Sequence, residues 1–592
     1  MMEITRIFDL LQYYVEKYPN QHVALAGKKN GEWRKYSIQE YIELVDRLSY
    51  AFIELGIVPG DKVALILTNR PEWNFIDMAV NQVGAIGVPI YPTSSEEDYR
   101  FILSDCEAKM VIIDGISVMN KVNNVLNDAP QLKLVYTMVD RGTYPYFDQL
   151  LELGAAHPHA EELQERKKAV DTFDCATIIY TSGTTGTPKG VMLSNSNLMN
   201  QFKGFCQTPS PDSKTAFSFL PVCHAYERAL IYMYHYLGMS IYYAESLATI
   251  ADNMREVHPT MMCAVPRVLE RFYDSIYMSG KKLKGIKRSF FYWAIRLAGH
   301  YKIGRKHSRW YEYKLRIADK LIYSKIREKL GAEHFDIIVS GAASISQKLA
   351  GFFSAIKMPV YEGYGLTETS PVIAVSSNEP YGREVGCVGL PLPGVEIKIT
   401  DNQEIICRGH NVMMGYYKNP ELTKEVIDDD GWFHTGDMGR FTEHGQLVIT
   451  GRLKSLFKTS GGKYINPDVI EQKFTASQFF EHVVVVGENQ KFAGALIIPD
   501  FNFMKGWCQR HNVTFTTPEE LLRNDVVVKR FDKEIARLNA ALGDTEKIKV
   551  RTFLADEWTV ANGMITPTLK VRRKIIVKKY QDVIDKMFAS KN

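Results

Sequence analysis

The sequence has no run of about 18 consecutive apolar residues, the length a helix needs to cross a bilayer, although 45% of its 592 residues are hydrophobic. Its first six residues, Met-Met-Glu-Ile-Thr-Arg, lack the basic-then-apolar layout of a secretory signal, so a cytoplasmic location is expected. The eight cysteines are scattered singly, without metal-ligand spacing or the density of a disulfide scaffold, and read as reduced, mostly buried thiols. Low-complexity tracts and short-period repeats are missing as well, which excludes disordered and solenoid chains. Single hydrophobic cores stop growing near ~250–300 residues, so two or more domains are expected.

The rest of the composition is ordinary, but its charge is unevenly placed. Between Lys281 and Lys329 there are sixteen Lys/Arg residues against three acids, Glu312, Asp319 and Glu328, while the whole chain carries only +4. Phe290, Phe291, Tyr292, Trp293, Ile295 and Leu297 lie among those cations. A basic segment interleaved with aromatics suits the headgroup boundary of an anionic membrane, and peripheral contact at its inner face is one expectation. The competing expectations are that the aromatics pack into a core, and that the charges solvate a helix or meet the phosphates of a ligand.

Early in the chain, helical and strand patterns alternate. Ser37 with Glu40 predicts a capped helix through Leu55, closed by Gly56. The runs Lys62-Val-Ala-Leu-Ile-Leu-Thr and Met110-Val-Ile-Ile-Asp114 predict short buried strands around a helix from Glu72. This alternation points to an α/β fold with parallel strands. Past residue 450 the rhythm changes, with strands expected at His482-Val-Val-Val-Val-Gly487 and Gly494-Ala-Leu-Ile-Ile-Pro499 and helices between about 517 and 542. A boundary is placed between 1–451 and 452–592, in a Gly-containing polar stretch where relative motion is easiest.

The most informative stretch is Tyr180-Thr-Ser-Gly-Thr-Thr-Gly-Thr-Pro-Lys-Gly190. Thr181 leads into it, Gly183 and Gly186 let the backbone approach an anion, Ser182, Thr184, Thr185 and Thr187 bring hydroxyl donors, and Lys189 brings a positive charge, which together make a phosphate cradle. It is not the Walker pattern, because Gly190 follows the lysine and no Ser/Thr comes next for Mg²⁺. A Gly-x-Ser-x-Gly nucleophile elbow is also absent.

This loop resembles the signature of the acyl-adenylate-forming superfamily, and the likeness runs over nearly the whole chain. The resemblance implies a large multi-subdomain N-terminal adenylate-forming domain and a smaller mobile α+β C-terminal domain. Tyr361-Glu-Gly-Tyr-Gly-Leu-Thr-Glu-Thr369 is similar to the family's adenine and Mg²⁺ motif, which implies Tyr364 stacking on adenine with Gly365 beside it, Thr367 on phosphate and Glu368 on the metal. Trp432-Phe-His-Thr-Gly-Asp437 resembles the ribose segment, with Asp437 on the hydroxyls. In the same way Arg452 corresponds to a second nucleotide contact and Lys454 to the hinge. Ser340-Gly-Ala-Ala-Ser344 resembles the segment whose glycine, Gly341, lies against adenine and acyl chain. Asn562-Gly-Met-Ile-Thr-Pro-Thr-Leu-Lys-Val-Arg-Arg573 places Lys570 where the family has its catalytic lysine, with Thr568-Leu569 in place of the commoner Ser-Gly.

Leu220-Pro-Val-Cys-His-Ala-Tyr-Glu-Arg228 and Val265-Pro-Arg-Val-Leu-Glu270 look like long-chain fatty acyl ligases, in which His224 would line the crossing of acyl chain and CoA. The implied catalytic set is Lys570, Glu368, Thr184 and His224. The implied substrates and cofactors are a long-chain fatty acid, ATP, Mg²⁺ and CoA, with no nucleic acid; no oligomeric state is implied. Three alternatives stand beside this reading: an adenylating enzyme for another acid or a carrier protein, a luciferase-like oxygenase, and a non-catalytic fatty-acid uptake protein of the same fold.

Overall fold

The computed structural model describes residues 3–182, 187–205, 214–341, 345–378, 381–384, 386–560, 562–566 and 570–589, with Ser182, Lys203, Phe205 and Lys454 described in backbone only. Most of the chain up to Ser194 builds a seven-stranded sheet. Lys62–Ile66, Ile86–Pro89, Ala108–Ile113 and Leu134–Thr137 run parallel in it, and Cys175–Ser182 joins parallel to Ile86–Pro89. A second sheet of nine strands has a parallel centre of Thr215–Ser218, Ser240–Tyr243, Met261–Ala264, Ile337–Ser340 and Val360–Tyr364. Parallel strands are covered on both faces, which is why these segments read as continuous apolar runs. The expected helix after Ser37 is Ile38–Glu54, and Ser37 accepts the Glu40 N–H at 3.1 Å. Only that half of the capping box forms, because the Glu40 carboxylate turns to Arg34.

Two helices, Pro71–Gln82 and Ala225–Tyr236, are buried nearly all round. An ion pair at their contact is removed from water: Arg228 donates to Asp77 Oδ1 at 2.5 Å and to Thr177 Oγ1 at 2.7 Å, and Tyr232 donates to Asp77 Oδ2 at 2.6 Å. Thr177 belongs to the seven-stranded sheet, whereas Asn74, on the first helix, bonds Tyr243 of the nine-stranded sheet at 2.6 Å. Each helix is thus tied to the other's sheet. Burying these charges is tolerable only because every one is paired. The consequence for function is positional, since His224 caps the same helix that Arg228 anchors.

The basic segment folds as helices Gly285–Ala298 and Arg309–Ala318 followed by a turn into Ser324–Leu330. Phe291, Ala294, Ile295 and Ala298 share one face and enter a core with Tyr323, Ile326 and Phe352. Of the expectations for this segment, packing into a core holds for Phe291 and Ile295. The exposed apolar residues are Ile286, Phe290, Trp310, Tyr313 and Leu321.

Beyond residue 455 a smaller unit forms around the antiparallel strands Phe480–Val486 and Gly494–Pro499, with Val550–Phe553 parallel to the second. Side chains alternate across a strand. Val483, Val485, Ala495 and Ile497 enter one core with Phe531, and Val484, Val486, Leu496 and Ile498 enter another with Trp558. At the junction, a Cβ on Gly451 would sit 2.0 Å from Nδ2 of Asn466, which donates to the Thr450 carbonyl at 2.7 Å. That close approach needs glycine. The cysteine expectation agrees with the seven described thiols, which are free and, apart from Cys175, buried. No described helix is long and apolar enough to cross a membrane.

Candidate active site

Cys175–Ser182 pairs antiparallel with Pro188–Ser194, so that Thr181 faces Lys189 and Tyr180 faces Gly190. The glycine-rich loop is thus the tip of a hairpin, a strand-loop-strand arrangement unlike a P-loop's strand-loop-helix. Gly183, Thr184, Thr185 and Gly186 lie outside the described residues, as does the side chain of Ser182. The Lys189 ammonium lies 5.3 Å from the centre of the Tyr416 ring. Tyr416 in turn donates to Glu368 Oε1 at 3.0 Å. Lys189, Tyr416 and Glu368 therefore stand in a row.

Glu368 sits in the short Thr367–Thr369 turn that follows the strand Val360–Tyr364. Gly365 has no room for a side chain, since a Cβ would meet the Pro371 carbonyl oxygen at 1.8 Å. Gly341 is constrained in the same way by the Tyr226 ring, 2.7 Å from such a Cβ. Tyr226 thus lies against the end of the Ile337–Ser340 strand.

Asp437 and Arg452 face each other across the hairpin Phe433–Phe441 and Leu447–Arg452. Arg452 Nε donates to Asp437 Oδ1 at 2.7 Å, and Tyr364 donates to Oδ2 at 2.9 Å. The Asp437 side chain is 5% exposed and that of Arg452 48%. A carboxylate has about four acceptor positions, so two remain for hydroxyl donors.

His224 caps the Ala225–Tyr236 helix: its Nδ1 accepts the Tyr226 N–H at 3.1 Å. Nδ1 being an acceptor, the neutral ring carries its proton on Nε2. Burial, then the nearby charge of Lys570, lowers its pKa to about 4, so the ring is neutral at pH 7. Lys570 keeps a surface open to solvent. Even so, the protein around its ammonium and then the Arg452 charge hold its pKa below the ordinary lysine value, with Asp437 acting in the opposite sense. Its loop is closed by Thr566, whose N–H donates to the Lys570 carbonyl at 2.8 Å and whose Oγ1 accepts the Lys570 N–H at 3.1 Å.

The structure thus brings Lys570, from the smaller unit, within the field of Arg452, Asp437 and His224, and Tyr364 bonds Asp437 from the other side. Lys454 lies two residues past Arg452 in the turn Leu453–Ser455. Sequence reasoning missed Tyr416. Gly415-Tyr-Tyr-Lys418 carries no chemical pattern, and only the pairing of Tyr416 with Val191 sets it beside Glu368 and the hairpin.

Comparison with known proteins gives the same frame. Residues 11–417 match the family described as AMP-binding enzyme, and residues 455–592 match the AMP-binding enzyme C-terminal domain. The chain is 32% identical over 574 residues to the long-chain-fatty-acid–CoA ligase FadD15 of Mycobacterium bovis, covering 94% of this chain and 93% of that protein. It is 29% identical over 599 residues to fatty acyl-CoA synthetase A of Dictyostelium discoideum, covering 95% and 87%. Among solved structures, the A domain of carboxylic acid reductase from Segniliparus rugosus, in complex with AMP and a co-purified carboxylic acid, superposes with a TM-score of 0.77 at 18% identity, covering 99% of this chain and 94% of that one. With the glycine-rich hairpin, Glu368 and Lys570 all falling inside the matched residues, the chain belongs to the family of AMP-binding enzymes.

Proposed function

We propose that this chain is an AMP-forming acid–thiol ligase that joins a long-chain fatty acid to CoA through an acyl-adenylate. A carboxylate is a poor electrophile, because its charge repels nucleophiles and oxide does not leave. In the first step a carboxylate oxygen attacks the α-phosphorus of ATP, the bond to the β-phosphate oxygen breaks, and pyrophosphate leaves. In the second the CoA thiol, losing its proton, attacks the acyl carbon and AMP leaves. The observation that supports the reading is that Lys570 lies within the electrostatic reach of Arg452, Asp437 and His224, with Arg452 and Tyr364 both bonded to Asp437. Asp437 would accept the ribose hydroxyls, Arg452 would hold it in place, and Lys570 would stabilise charge growing on the α-phosphate oxygens. Neutral His224 would donate from Nε2 where acyl group and thiol meet. The unit beyond residue 455 would turn about Lys454 between the two steps.

Glu368 fits a Mg²⁺ ion that is held mainly by nucleotide phosphates. Such an ion takes one or two carboxylates and leaves its other positions to phosphate and water. Glu368 is a single carboxylate beside the Lys189 side of the hairpin, and the described residues contain no group of three or more metal-binding side chains. Bound there, Mg²⁺ would neutralise charge on the phosphate oxygens. The reading is tested by palmitate-dependent pyrophosphate release followed by CoA-dependent AMP release. Pyrophosphate without any CoA dependence would point instead to a carrier-protein adenylating enzyme, and no pyrophosphate at all to a non-catalytic protein.

Peripheral attachment to an anionic membrane belongs to the same reading. Ile286 is 77% exposed and Trp310 64%, and Lys281, Lys282, Lys284, Lys287 and Arg288 beside Ile286 are all exposed. Each cation near such a surface contributes roughly 1 kcal/mol, within a Debye length of it. Neutralising those five residues should abolish sedimentation with phosphatidylserine vesicles at low salt and leave turnover of a short soluble acid unchanged. Unaltered sedimentation would remove the membrane role.

A further inference from the structure

The helix Pro266–Ser279 has two faces. Leu269, Phe272 and Ile276 are buried in the N-terminal core, while Arg267, Glu270, Arg271 and Asp274 form a polar stripe on the opposite side. None of these four approaches the nucleotide pocket residues through a bond; the stripe meets the C-terminal unit. Gln478 Nε2 donates to Asp274 Oδ1 at 2.7 Å, and Arg267 Nη2 lies 3.6 Å from Asp500 Oδ2. Arg267 also holds Glu270 at 3.2 Å. The facing surface is acidic: Glu481 feels the charges of Asp500 and Glu557 on its own side and those of Arg267 and Arg271 across the gap. Two arginines therefore oppose three carboxylates, with one amide-to-carboxylate hydrogen bond fixing the register. At the far end of the stripe Lys281 comes within the field of Arg510, a like charge, so the contact is polar throughout and breakable.

The contact also reaches toward the lysine loop. His482, next to Glu481, is pushed down to about 4 by burial and then by Arg267, so it is neutral, and its ring stacks on Trp558 at 5.6 Å and 22°. Trp558 opens the segment that ends in Lys570, and its Nε1–H donates to Tyr580 at 3.4 Å. The docked strand is thereby tied to the start of the segment that carries Lys570. Holding Gln478 and Asp500 against the helix would bias where that unit rests.

We propose that the stripe Arg267, Glu270, Arg271 and Asp274 is a docking latch that positions the C-terminal unit for the first half-reaction, with Asp274–Gln478 and Arg267–Asp500 as its positioning pairs. The latch rests on the acyl-adenylate reading above, in which Lys570 acts in the first step and withdraws in the second. Contacts of this kind, polar and partly exposed, each contribute little. That suits a surface that must release once per turnover, and it makes the latch a bias on a conformational population, acting on one half-reaction and not on the other.

The test separates the two half-reactions in the full-length protein. Gln478→Glu sets a carboxylate against Asp274. Combined with Asp274→Asn, it restores one donor and one acceptor with their sides exchanged. Gln478→Glu and Arg267→Ala should each slow palmitate- and ATP-dependent pyrophosphate release about three- to fivefold, the upper part of the range expected for one partly exposed polar pair. Thioester formation from supplied palmitoyl-adenylate and CoA should stay within about twofold, which also reports that the variants are folded. The Asp274→Asn/Gln478→Glu protein should recover pyrophosphate release to within about twofold of the parent. Equal losses in both half-reactions, unchanged pyrophosphate release in both single variants, or a double variant no better than Gln478→Glu would each overturn the latch while leaving the acyl-adenylate reading intact. An unaltered chain that releases no pyrophosphate would remove that reading, and the latch with it.

Discussion

Replacing Lys570 by alanine is expected to lower palmitate- and ATP-dependent pyrophosphate release by about 10²- to 10³-fold, the size of effect seen when one preorganised charge-stabilising donor is lost. Conversion of supplied acyl-adenylate and CoA to thioester should remain within about threefold of the parent. The asymmetry follows from where the lysine sits. Its ammonium lies within the field of Arg452 and Asp437, the groups proposed to hold ribose, so its charge would serve the step in which negative charge grows on the α-phosphate. In the second step a neutral thioester replaces a mixed anhydride and AMP leaves; a cation at that place has less to stabilise.

The pH dependence adds a signature. In the proposed role Lys570 would have to be protonated, and its surroundings hold its pKa below the ordinary lysine value. Adenylation should therefore fall on the alkaline side at a lower pH than an ordinary lysine would allow. Lys570→Arg should keep some activity and lose that limb, because a guanidinium does not titrate in this range. His224, neutral down to a pH of about 4, contributes no limb near neutrality. Parallel loss of both half-reactions in Lys570→Ala would sink the two-conformation reading.

The parts legible in the sequence are those whose chemistry is concentrated in short segments. The glycine-rich hairpin, the Tyr361–Thr369 stretch, the Trp432–Asp437 stretch and the segment around Lys570 each carry several informative residues in one run, and the structure links Tyr364 to Asp437 by a hydrogen bond and Glu368 to the Lys189 side of the hairpin through Tyr416. The alternation of Lys62–Ile66 and Ala108–Ile113 with helices was equally readable, because parallel strands covered on both faces leave unbroken apolar runs. Interactions closed over long separations left no such mark. Asp77 meets Arg228 across 151 positions and Gln478 meets Asp274 across 204, and neither pair stands out by residue type.

The basic segment shows a different failure. Its aromatic residues were grouped by nearness in sequence, whereas the helical period sends Phe291, Ala294, Ile295 and Ala298 inward and leaves Ile286 and Phe290 outside. Applying that period to Lys281–Lys329 would have sorted them. For Trp310 and Tyr313, whose rings stack at 5.6 Å on the exposed face of the next helix, the period also separates them from buried Ala318.

Replacing Glu368 by glutamine is expected to reduce kcat/KM for Mg·ATP by about 10²-fold, a loss comparable with removing one charged group from a preorganised phosphate site. The dissociation constant of preformed acyl-adenylate should change by less than about threefold, because that ligand lacks the pyrophosphate portion of ATP with which a Glu368-held ion would be expected to interact. The substitution is a clean probe. Tyr416 donates to Oε1 at 3.0 Å, and a glutamine carbonyl still accepts that bond, so shape and local hydrogen bonding survive while the charge is lost. Tyr416→Phe should give the complementary result, a smaller defect with the charge kept but the carboxylate no longer oriented. Raising free Mg²⁺ should recover part of the Glu368→Gln activity, since the defect lies in metal affinity, and should do nothing for Lys570→Ala, whose missing charge belongs to the protein. Weakened binding of acyl-adenylate in step with the loss of Mg·ATP turnover would instead place Glu368 on the nucleotide pocket's structure and away from the metal.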